Sequence, residues 1–218
     1  MSFATLSNVR ASRVDLVQPL SGCWFATVDL ETAAPLSGSV SLAFGGVTWK
    51  GAIVSGGDYA GASRFQLVGG AGGWRKRVAA KSYSSSGGVR VALVAGDLAR
   101  EVGETLADQP SGSLGPFWVR FAGSASSGLE SATSGAWWVG ADGRTNVGSR
   151  ASSSTSTSGV LVALDVGLRV ATFASETVGE FEPGRSMAIG PFASFRVGLV
   201  RHMINADSIR TELHAVRS

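Results

Sequence analysis

Residues 191–216, PFASFRVGLVRHMINADSIRTELHAV, are the stretch of the sequence that decides the fold. Two runs of alternating apolar and polar residues lie on either side of a polar turn, Asn205-Ala206-Asp207. A period of two is typical of a strand with one buried face. The stretch therefore predicts a hairpin with one buried face and one patterned polar face.

The alternation also assigns side chains to the two faces of this hairpin. In the first run it places Phe195, Val197 and Leu199 on the buried face, with Arg196 and His202 opposite. In the second run the apolar side is Ile209, Leu213 and Ala215, and the polar side is Arg210, Glu212 and His214. An ordered polar face at the edge of a sheet is more typical of a surface that binds other chains than of a catalytic site.

Composition supports the same interpretation. The chain has 218 residues, of which only 16% are charged, while 44% are hydrophobic and 30 are glycine. Soluble domains usually carry about 25% charged residues, so the low value favours a surface that neighbouring chains cover. The net charge of +3 is too small to require a nucleic-acid partner.

Sequence features relevant to cellular location are few. The single cysteine, Cys23, excludes an intramolecular disulfide and is predicted to be a buried small residue. The first ten residues lack the basic start and apolar core of a signal peptide, and no apolar run reaches the length of about 18 residues that a membrane span needs. We therefore expect assembly in a cytoplasm, with no membrane partner.

The sequence of the first half predicts strands separated by glycine-rich turns, followed by one helix. The predicted strands are residues 10–17, 23–30, 39–44, 47–54 and 63–68. The Gly45-Gly46 pair predicts a hairpin turn. Helical spacing of apolar residues then predicts a helix near 89–104, and residues 105–116 form the best linker candidate.

The second half repeats this plan of strands with one helix. A strand at 117–121 precedes a short helix near 124–134, and Asp142-Gly143 predicts a hairpin between 137–139 and 145–147. A low-complexity loop at 150–158 precedes one bent or two short strands at 160–174. The predicted class is mainly β, with two small barrels or sandwiches, residues 1–108 and 109–218, each with a flanking helix.

The sequence contains no strong combination of catalytic or metal-binding residues. Only two histidines exist, His202 and His214, and no G-x-S-x-G elbow exposes a serine. Those histidines, with Asp207 and Glu212, have no diagnostic metal-ligand spacing. Residues 69–73 lack the phosphate-loop pattern, and Glu176, Glu180 and Glu182 are interpreted as a solvated loop instead of a glycosidase pair. We predict no catalytic, cofactor-binding or metal-binding residue and no enzymatic activity.

Two binding alternatives stay open at this point. Tryptophan rings stack on sugars, so a carbohydrate-binding module is one alternative. Its candidate residues are Trp49, Trp74, Trp118, Trp137 and Trp138. The basic stretch Arg75, Lys76 and Arg77, followed by Lys81 and Tyr83, offers contacts to phosphates and bases of a single-stranded nucleic acid, or a charged contact to another subunit.

The order of several motifs resembles that of phage tail and baseplate hub proteins. Residues 49–83, WKGAIVSGGDYAGASRFQLVGGAGGWRKRVAAKSY, lead into VRVALVAGDLAREVGE at 89–104. WWVGADGRTNVGSR at 137–150, the Pro183-Gly184 turn and VRHMINADSIRTELHAV at 200–216 continue the pattern. The resemblance spans roughly residues 40 to 216, and related barrels occur in the spike proteins of type VI secretion.

The resemblance implies a structural role in a virion. Hub proteins look like trimers with two tail-tube-type barrels per subunit, which together mimic a six-fold ring joining the tail tube to the spike or tip. It implies as partners the tube protein, the spike and other baseplate proteins, with DNA only as passing cargo in the lumen. Arg196, Arg210 and Glu212 become candidates for subunit contacts or lumen lining.

The sequence also departs from the hub pattern. It is short and shows no peptidoglycan-cleaving module, which suggests a minimal hub. The alternative function is a carbohydrate-binding module of a tail tip.

Overall fold

The computed structural model describes residues 4–150, 152–154, 156–205 and 207–216. The first half contains strands β1 Ala4–Leu6, β2 Val9–Pro19, β3 Phe25–Leu30, β4 Ser39–Phe44, β5 Val47–Tyr59, β6 Ala62–Gly69, β7 Arg77–Val78 and β8 Lys81–Ser84, then helix α1 Val91–Val102. The second half contains β9 Phe117–Arg120, β10 Gly123–Ser124, helix α2 Ala125–Thr133, β11 Trp137–Val139, β12 Thr145–Val147, β13 Val160–Asp165, β14 Val170–Ala174, β15 Ser186–Ile189, β16 Phe192–Ile204 and β17 Ile209–Ala215.

The first six strands close into a barrel in the order β1-β4-β5-β6-β3-β2, because β1 pairs with both β4 and β2. The predicted turn at Gly45-Gly46 is confirmed: both residues have positive φ, 55° and 78°, as a tight hairpin turn between β4 and β5 requires. The five strands predicted in the first half are confirmed, although β5 and β6 extend their hairpin to Tyr59 and Ala62.

The sheet continues from the barrel into the second half. Strand β2 pairs with β16 from Val14↔Ile204 to Pro19↔Leu199, and β17, β14 and β13 follow in that order, while β15 pairs with the beginning of β16. The predicted strands at 160–174 are two short ones, β13 and β14. A separate buried cluster lies under these strands: Ala171, Phe173, Phe181, Met187, Ile189, Phe195, Val197, Val200 and Leu213. Among the described strands, only the first six form a closed barrel.

Both predicted helices are confirmed, and they pack against each other. Helix α1 ends at Gly103, whose φ of 81° is left-handed, and α2 begins at Ser124, whose hydroxyl accepts a hydrogen bond from the Ser127 N–H at 3.2 Å. Their buried side chains join the core cluster of the first barrel. Each half thus supplies one helix, as predicted, and both helices pack on the core of the first barrel.

Several contacts cross the predicted boundary between residues 108 and 109. Strand β8 pairs with β9, β2 pairs with β16, and the two helices touch. The hairpin of β11 and β12 is confirmed and contributes Trp137 and Val139 to the first cluster. The division into domains 1–108 and 109–218 therefore stays a prediction.

The hairpin predicted at 191–216 is confirmed, with Ile204 opposite Ile209. Ala206 of its predicted turn lies outside the described residues, as do Ala151 and Thr155 of the predicted loop at 150–158. A bulge between Val197 and Leu199 shifts the register, so that Val200, His202 and Ile204 are buried in the second part of β16. The predicted faces of Leu199 and His202 were wrong, because one extra residue moves all following side chains to the opposite face.

Candidate assembly site

The outer face of strands β3, β2, β16 and β17 is one surface that crosses both halves of the chain. The buried residues Val14 and Leu16 point inward from β2, so Asp15 and Val17 point outward. The cross-strand pairs continue this face from Asp15 to Met203 and Arg210, from Val17 to Arg201 and Glu212, and from Pro19 to Leu199 and His214. We call this surface the shared outer face.

Arg201 lies at the centre of the shared outer face and joins its two halves. Its Nε and Nη2 donate to the two carboxylate oxygens of Asp15 at 2.8 and 2.6 Å. Its Nη1 lies 3.7 Å from Oε2 of Glu212, which lies 3.9 Å from Nε2 of His214. The hydrogen bonds from Arg201 lower the pKa of Asp15, and those to Asp15 raise the pKa of Arg201.

The structure brings two of the three predicted contact residues onto this face. Arg210 and Glu212 lie two residues apart on β17, and both are half-buried. Arg196 is exposed at the other end of β16, opposite Ser186 of β15 and before the bulge. Arg201 was not among the predicted residues; the alternation that follows the bulge is the signal that would have identified it. The roles of Arg196, Arg210 and Glu212 stay predictions.

A second ion pair extends the polar character of the barrel surface. Arg64 Nε and Nη2 donate to the carboxylate oxygens of Asp29 at 2.5 and 2.8 Å. These hydrogen bonds lower the pKa of Asp29. Asp29 is also the cross-strand neighbour of Arg13, and the two acidic groups on β2 and β3 therefore each lie beside an arginine on an adjacent strand.

The three predicted basic residues Arg75, Lys76 and Arg77 have different environments. Lys76 Nζ donates to the carbonyl oxygen of Val102 at 2.8 Å, so it binds the carboxyl end of α1. Arg75 is exposed beside a groove that Phe25 also lines. Arg77 is exposed on β7 opposite Ser124. All three side chains are exposed, and the role of this stretch as a basic contact stays a prediction.

The glycine-rich loop at 69–73 holds an anion that belongs to the chain itself. The backbone N–H groups of Ala71 and Gly73 donate to the Glu104 carboxylate at 3.1 and 2.6 Å. Glu104 is buried just after α1. A carboxylate in this position satisfies loop donors of the kind that bind a phosphate in other proteins.

Most of the aromatic residues proposed for stacking are parts of the core. Trp49, Trp74 and Trp137 are buried, and Trp74 Nε1 donates to Thr145 Oγ1 at 2.8 Å. Of the remaining candidates, Trp118 packs against Tyr83, and the Trp138 ring lies 5.0 Å from the guanidinium of Arg150. Tyr83 itself is buried. Three of the five tryptophans are therefore buried, while Trp118 and Trp138 are half-buried, and the two binding alternatives stay untested.

The two histidines have different environments. His202 is fully buried, and its Nδ1 lies 2.9 Å from Thr211 Oγ1 and its Nε2 3.2 Å from Gln18 Nε2. Burial lowers the pKa of His202 to about 3, so the ring is neutral. His214 is half-exposed on the shared outer face. Across the described parts of the chain, no three histidine, cysteine or acidic side chains come together as a metal site would require.

Two of the acidic residues predicted to lie in a solvated loop, Glu180 and Glu182, accept hydrogen bonds within the chain. The Glu180 carboxylate accepts hydrogen bonds from Thr157 Oγ1 at 2.9 Å and from the Ser158 N–H at 3.0 Å, which fix one loop against another. Glu182 accepts two hydrogen bonds from Arg185. Within the described ranges, no helix is long and apolar enough to span a membrane.

No protein-family model matches this sequence, and no curated protein matches it. Solved structures do match. A tail protein from Neisseria meningitidis MC58 is 15% identical, with a TM-score of 0.69, and the match covers 99% of this chain and 96% of that chain. The 43 kDa tail protein of prophage MuSo2 from Shewanella oneidensis is 7% identical, with a TM-score of 0.65 and coverage of 100% and 97%.

A third match connects the fold to secretion machinery. It is an Escherichia coli component of the type VI secretion system, described as structurally similar to the T4 bacteriophage tail proteins gp27 and gp5. It is 11% identical, with a TM-score of 0.61, and the match covers 99% of this chain and 76% of that chain. The predicted mainly β, tail-tube-type class is confirmed at the level of the fold: this chain has the fold of phage tail proteins and of a type VI secretion component.

Proposed function

We propose that the chain is a structural, non-enzymatic tail protein, the hub whose ring joins the tail tube to the spike or tip. The observation that carries this proposal is the shared outer face, which runs without a break from the first barrel into β16 and β17. Each copy thus contributes two neighbouring sheet segments to one surface. Three copies contribute six, which suits the junction between a hexameric tube and a three-fold spike.

The charges of the shared outer face support a lumen through which DNA passes. Tight binding of DNA requires cations that neutralise phosphates and release counterions. Here Arg201 is paired with Asp15 and lies near Glu212, and Arg64 is paired with Asp29. A wall on which Arg201 and Arg64 each have an acidic neighbour is wettable and holds a polyanion weakly, so DNA passes as cargo.

The proposed partners are other copies of this chain, the tube protein above the ring and the spike or tip below it, in a virion assembled in the host cytoplasm. The low content of charged residues supports a surface that these neighbours cover. A trimer is the proposed state.

Labelling of virions tests the proposal directly. A gold-labelled antibody against this chain should mark only the junction between tube and tip, and deletion of the coding sequence should leave tails without their tip complex. Label distributed along the tube, or virions free of the chain, would contradict the hub role.

Two roles remain for the polar residues of β17, and one pair of variants separates them. Arg210→Ala and Glu212→Ala should leave the mass of the assembled protein unchanged if they line a lumen. If they form subunit contacts, either change should release single chains. Native mass spectrometry distinguishes the outcomes, with Arg100→Ala, an exposed arginine on α1, as the matched control.

A further inference from the structure

The ribbon of β8 and β9 carries an exposed apolar ridge on its outward face. Phe117, Val119 and Phe121 follow each other at every second position and are 78%, 44% and 81% exposed. Their cross-strand neighbours on β8 are Ser82 and Ser84, so this face carries no charge. On the inward side of the same ribbon, Trp118 packs against the core cluster and Arg120 donates to Glu101 of α1 at 2.8 Å.

A second exposed apolar surface lies at the far end of the sheet, on β13. Val160 is 68% and Val162 is 54% exposed, and residues 160–164 carry no charge. In the described part of the chain, β13 pairs only with β14, so its other backbone edge is open. The turn that follows adds Val166 and Leu168, which are 53% and 74% exposed.

These surfaces are of a kind that folded proteins seldom leave in water. A buried phenylalanine removes about 150–250 Å² from solvent, so two of them with Val119 reach the few hundred Å² at which an apolar patch marks an interaction site. An open edge strand is likewise a template for pairing with another strand. β13 contains no lysine and no proline, which often protect such an edge, and its single charged residue, Asp165, lies at its end.

We propose that β13 of one copy docks against the β8–β9 ribbon of the next copy, head to tail. This inference rests on the proposed ring and names the surfaces that would close it. A head-to-tail ring needs two different patches on each subunit, and one repeated contact then covers both. If each patch met its own counterpart, every copy would have two different two-fold contacts, and a small cyclic ring would not result.

The contact joins the two copies in a continuous intermolecular sheet. The open edge of β13 supplies backbone donors and acceptors, and the β8–β9 ribbon supplies a short strand pair whose apolar ridge covers Val160 and Val162. The occupant of each surface is therefore a second copy of this chain.

Two double variants test it. The ribbon variant combines Phe117→Glu with Phe121→Glu, and the edge variant combines Val160→Glu with Val162→Glu. Each should reduce the mass in solution from that of the ring to that of one 22.3 kDa chain. All four side chains are more than half exposed, so the variants should keep the circular dichroism spectrum of the wild type.

Mixing the two variants gives the decisive measurement. The intact edge of the ribbon variant meets the intact ribbon of the edge variant, so an equimolar mixture should form a species of twice the single-chain mass and nothing larger. If each patch instead binds the same patch of another copy, each variant alone should form a dimer and the mixture should form no mixed dimer. Leu93→Glu, on an exposed position of α1 outside both patches, serves as the control and should assemble as the wild type does.

The outcomes separate this inference from the hub proposal. Rings that survive both double variants would overturn the head-to-tail contact and leave the hub proposal intact. A wild-type protein that is monomeric in solution but is labelled at the tube–tip junction would also overturn it. Rings that require both patches, in a protein absent from the tail tip, would support the contact and contradict the hub.

Discussion

The two halves of the sheet differ in how completely they bury themselves. The first barrel is closed, and two helices and the β11–β12 hairpin add to its core. The second half has a smaller buried cluster, and its path of strands ends at β13 with exposed valines. Closure removes strand edges, whereas an open path leaves one for a neighbour. In the described part of the chain, the first barrel therefore leaves no strand edge open, whereas the second half leaves one that the proposed neighbouring copy would cover.

The largest effect should come from the core of the closed barrel. Trp24 is buried, packs edge-on against Trp49 and lies against the backbone of Gly51 and Gly69, where a Cβ would collide with its ring. Trp24→Ala should lower the free energy of unfolding by about 3–5 kcal/mol, because it removes a large buried ring and leaves a cavity. Urea denaturation followed by far-ultraviolet circular dichroism measures this.

The same experiment tests the boundary at 108/109. Phe195→Ala is the matched change in the second cluster, where Phe195 is buried. Because β2 pairs with β16 through six residues, we expect one cooperative transition in both variants. Two separated transitions, with only one of them shifted by each variant, would restore the division into independent domains.

His202 should make the junction between the halves sensitive to acid. Its pKa falls from an ordinary value of 6.5 to about 3 in the folded protein, so its contribution to stability is present above pH 6.5 and is lost as the pH falls toward 3. The free energy of unfolding should decrease by about 1.4 kcal/mol per pH unit in this window, or about 2 kcal/mol between pH 7 and pH 5.

Replacement of His202 by glutamine should flatten this pH dependence, since glutamine keeps polar contacts near Gln18 and Thr211 without titrating. His214→Gln, on the half-exposed face, is the control and should keep the wild-type slope. An unchanged slope in the His202 variant would show that other groups cause the acid sensitivity.

Much of the fold could be predicted from local sequence signals. Alternation and glycine pairs identified the strands of the first barrel, and the spacing of Val91, Val94 and Leu98 identified α1. What could not be predicted depends on non-local contacts. The bulge after Val197 reverses the faces in β16, and no residue pattern before it marks the shift. The packing of both helices on one cluster is likewise a property of the assembled sheet.

The candidate site was predictable in part for the same reason. Arg210 and Glu212 follow a regular alternation in β17, so their outward positions could be identified. Arg201 lies beyond the bulge, and its link to Asp15 joins residues 186 positions apart in sequence. The basic stretch looked continuous in sequence, but a helix end 26 residues away binds Lys76. Pairings at these separations come from topology, which a single sequence does not reveal.

A smaller effect should follow from removing the ionic link across the halves. Arg201→Gln eliminates the paired hydrogen bonds to Asp15, on a face that is still partly exposed to solvent. The expected loss is about 1 kcal/mol of unfolding free energy, because solvent screens such pairs. Since Asp15 has a lowered pKa, wild-type stability from this pair is lost as the pH falls through that pKa, and the variant should lose less there.

Salt provides the check on this assignment. Added sodium chloride should narrow the difference in stability between Arg201→Gln and the wild type, because it screens exposed ion pairs. Arg185→Gln, which breaks a local pair with Glu182 within the second half, should cost less than Arg201→Gln. Equal losses of unfolding free energy would mean that the ion pair between the halves stabilises the protein no more than a local pair does.

The smallest expected effects concern the helix layer that packs on the core of the first barrel, and they have opposite signs. Gly96 lies inside α1 at a position where an added methyl group would point into open space, so Gly96→Ala should raise the free energy of unfolding by about 0.5–1 kcal/mol. Gly103 ends the helix with a φ of 81°, and Gly103→Ala should lower it by about 1 kcal/mol, because a side chain strains a left-handed residue. Thermal denaturation of the two variants measures both changes in stability.

If both changes act on the whole protein, the melting of the second half, followed by a fluorescent probe at exposed Ala193, should shift with them. A second half that melts at an unchanged temperature would mean that the helix layer stabilises the barrel alone, and that the pairing of β2 with β16 does not transmit its stability.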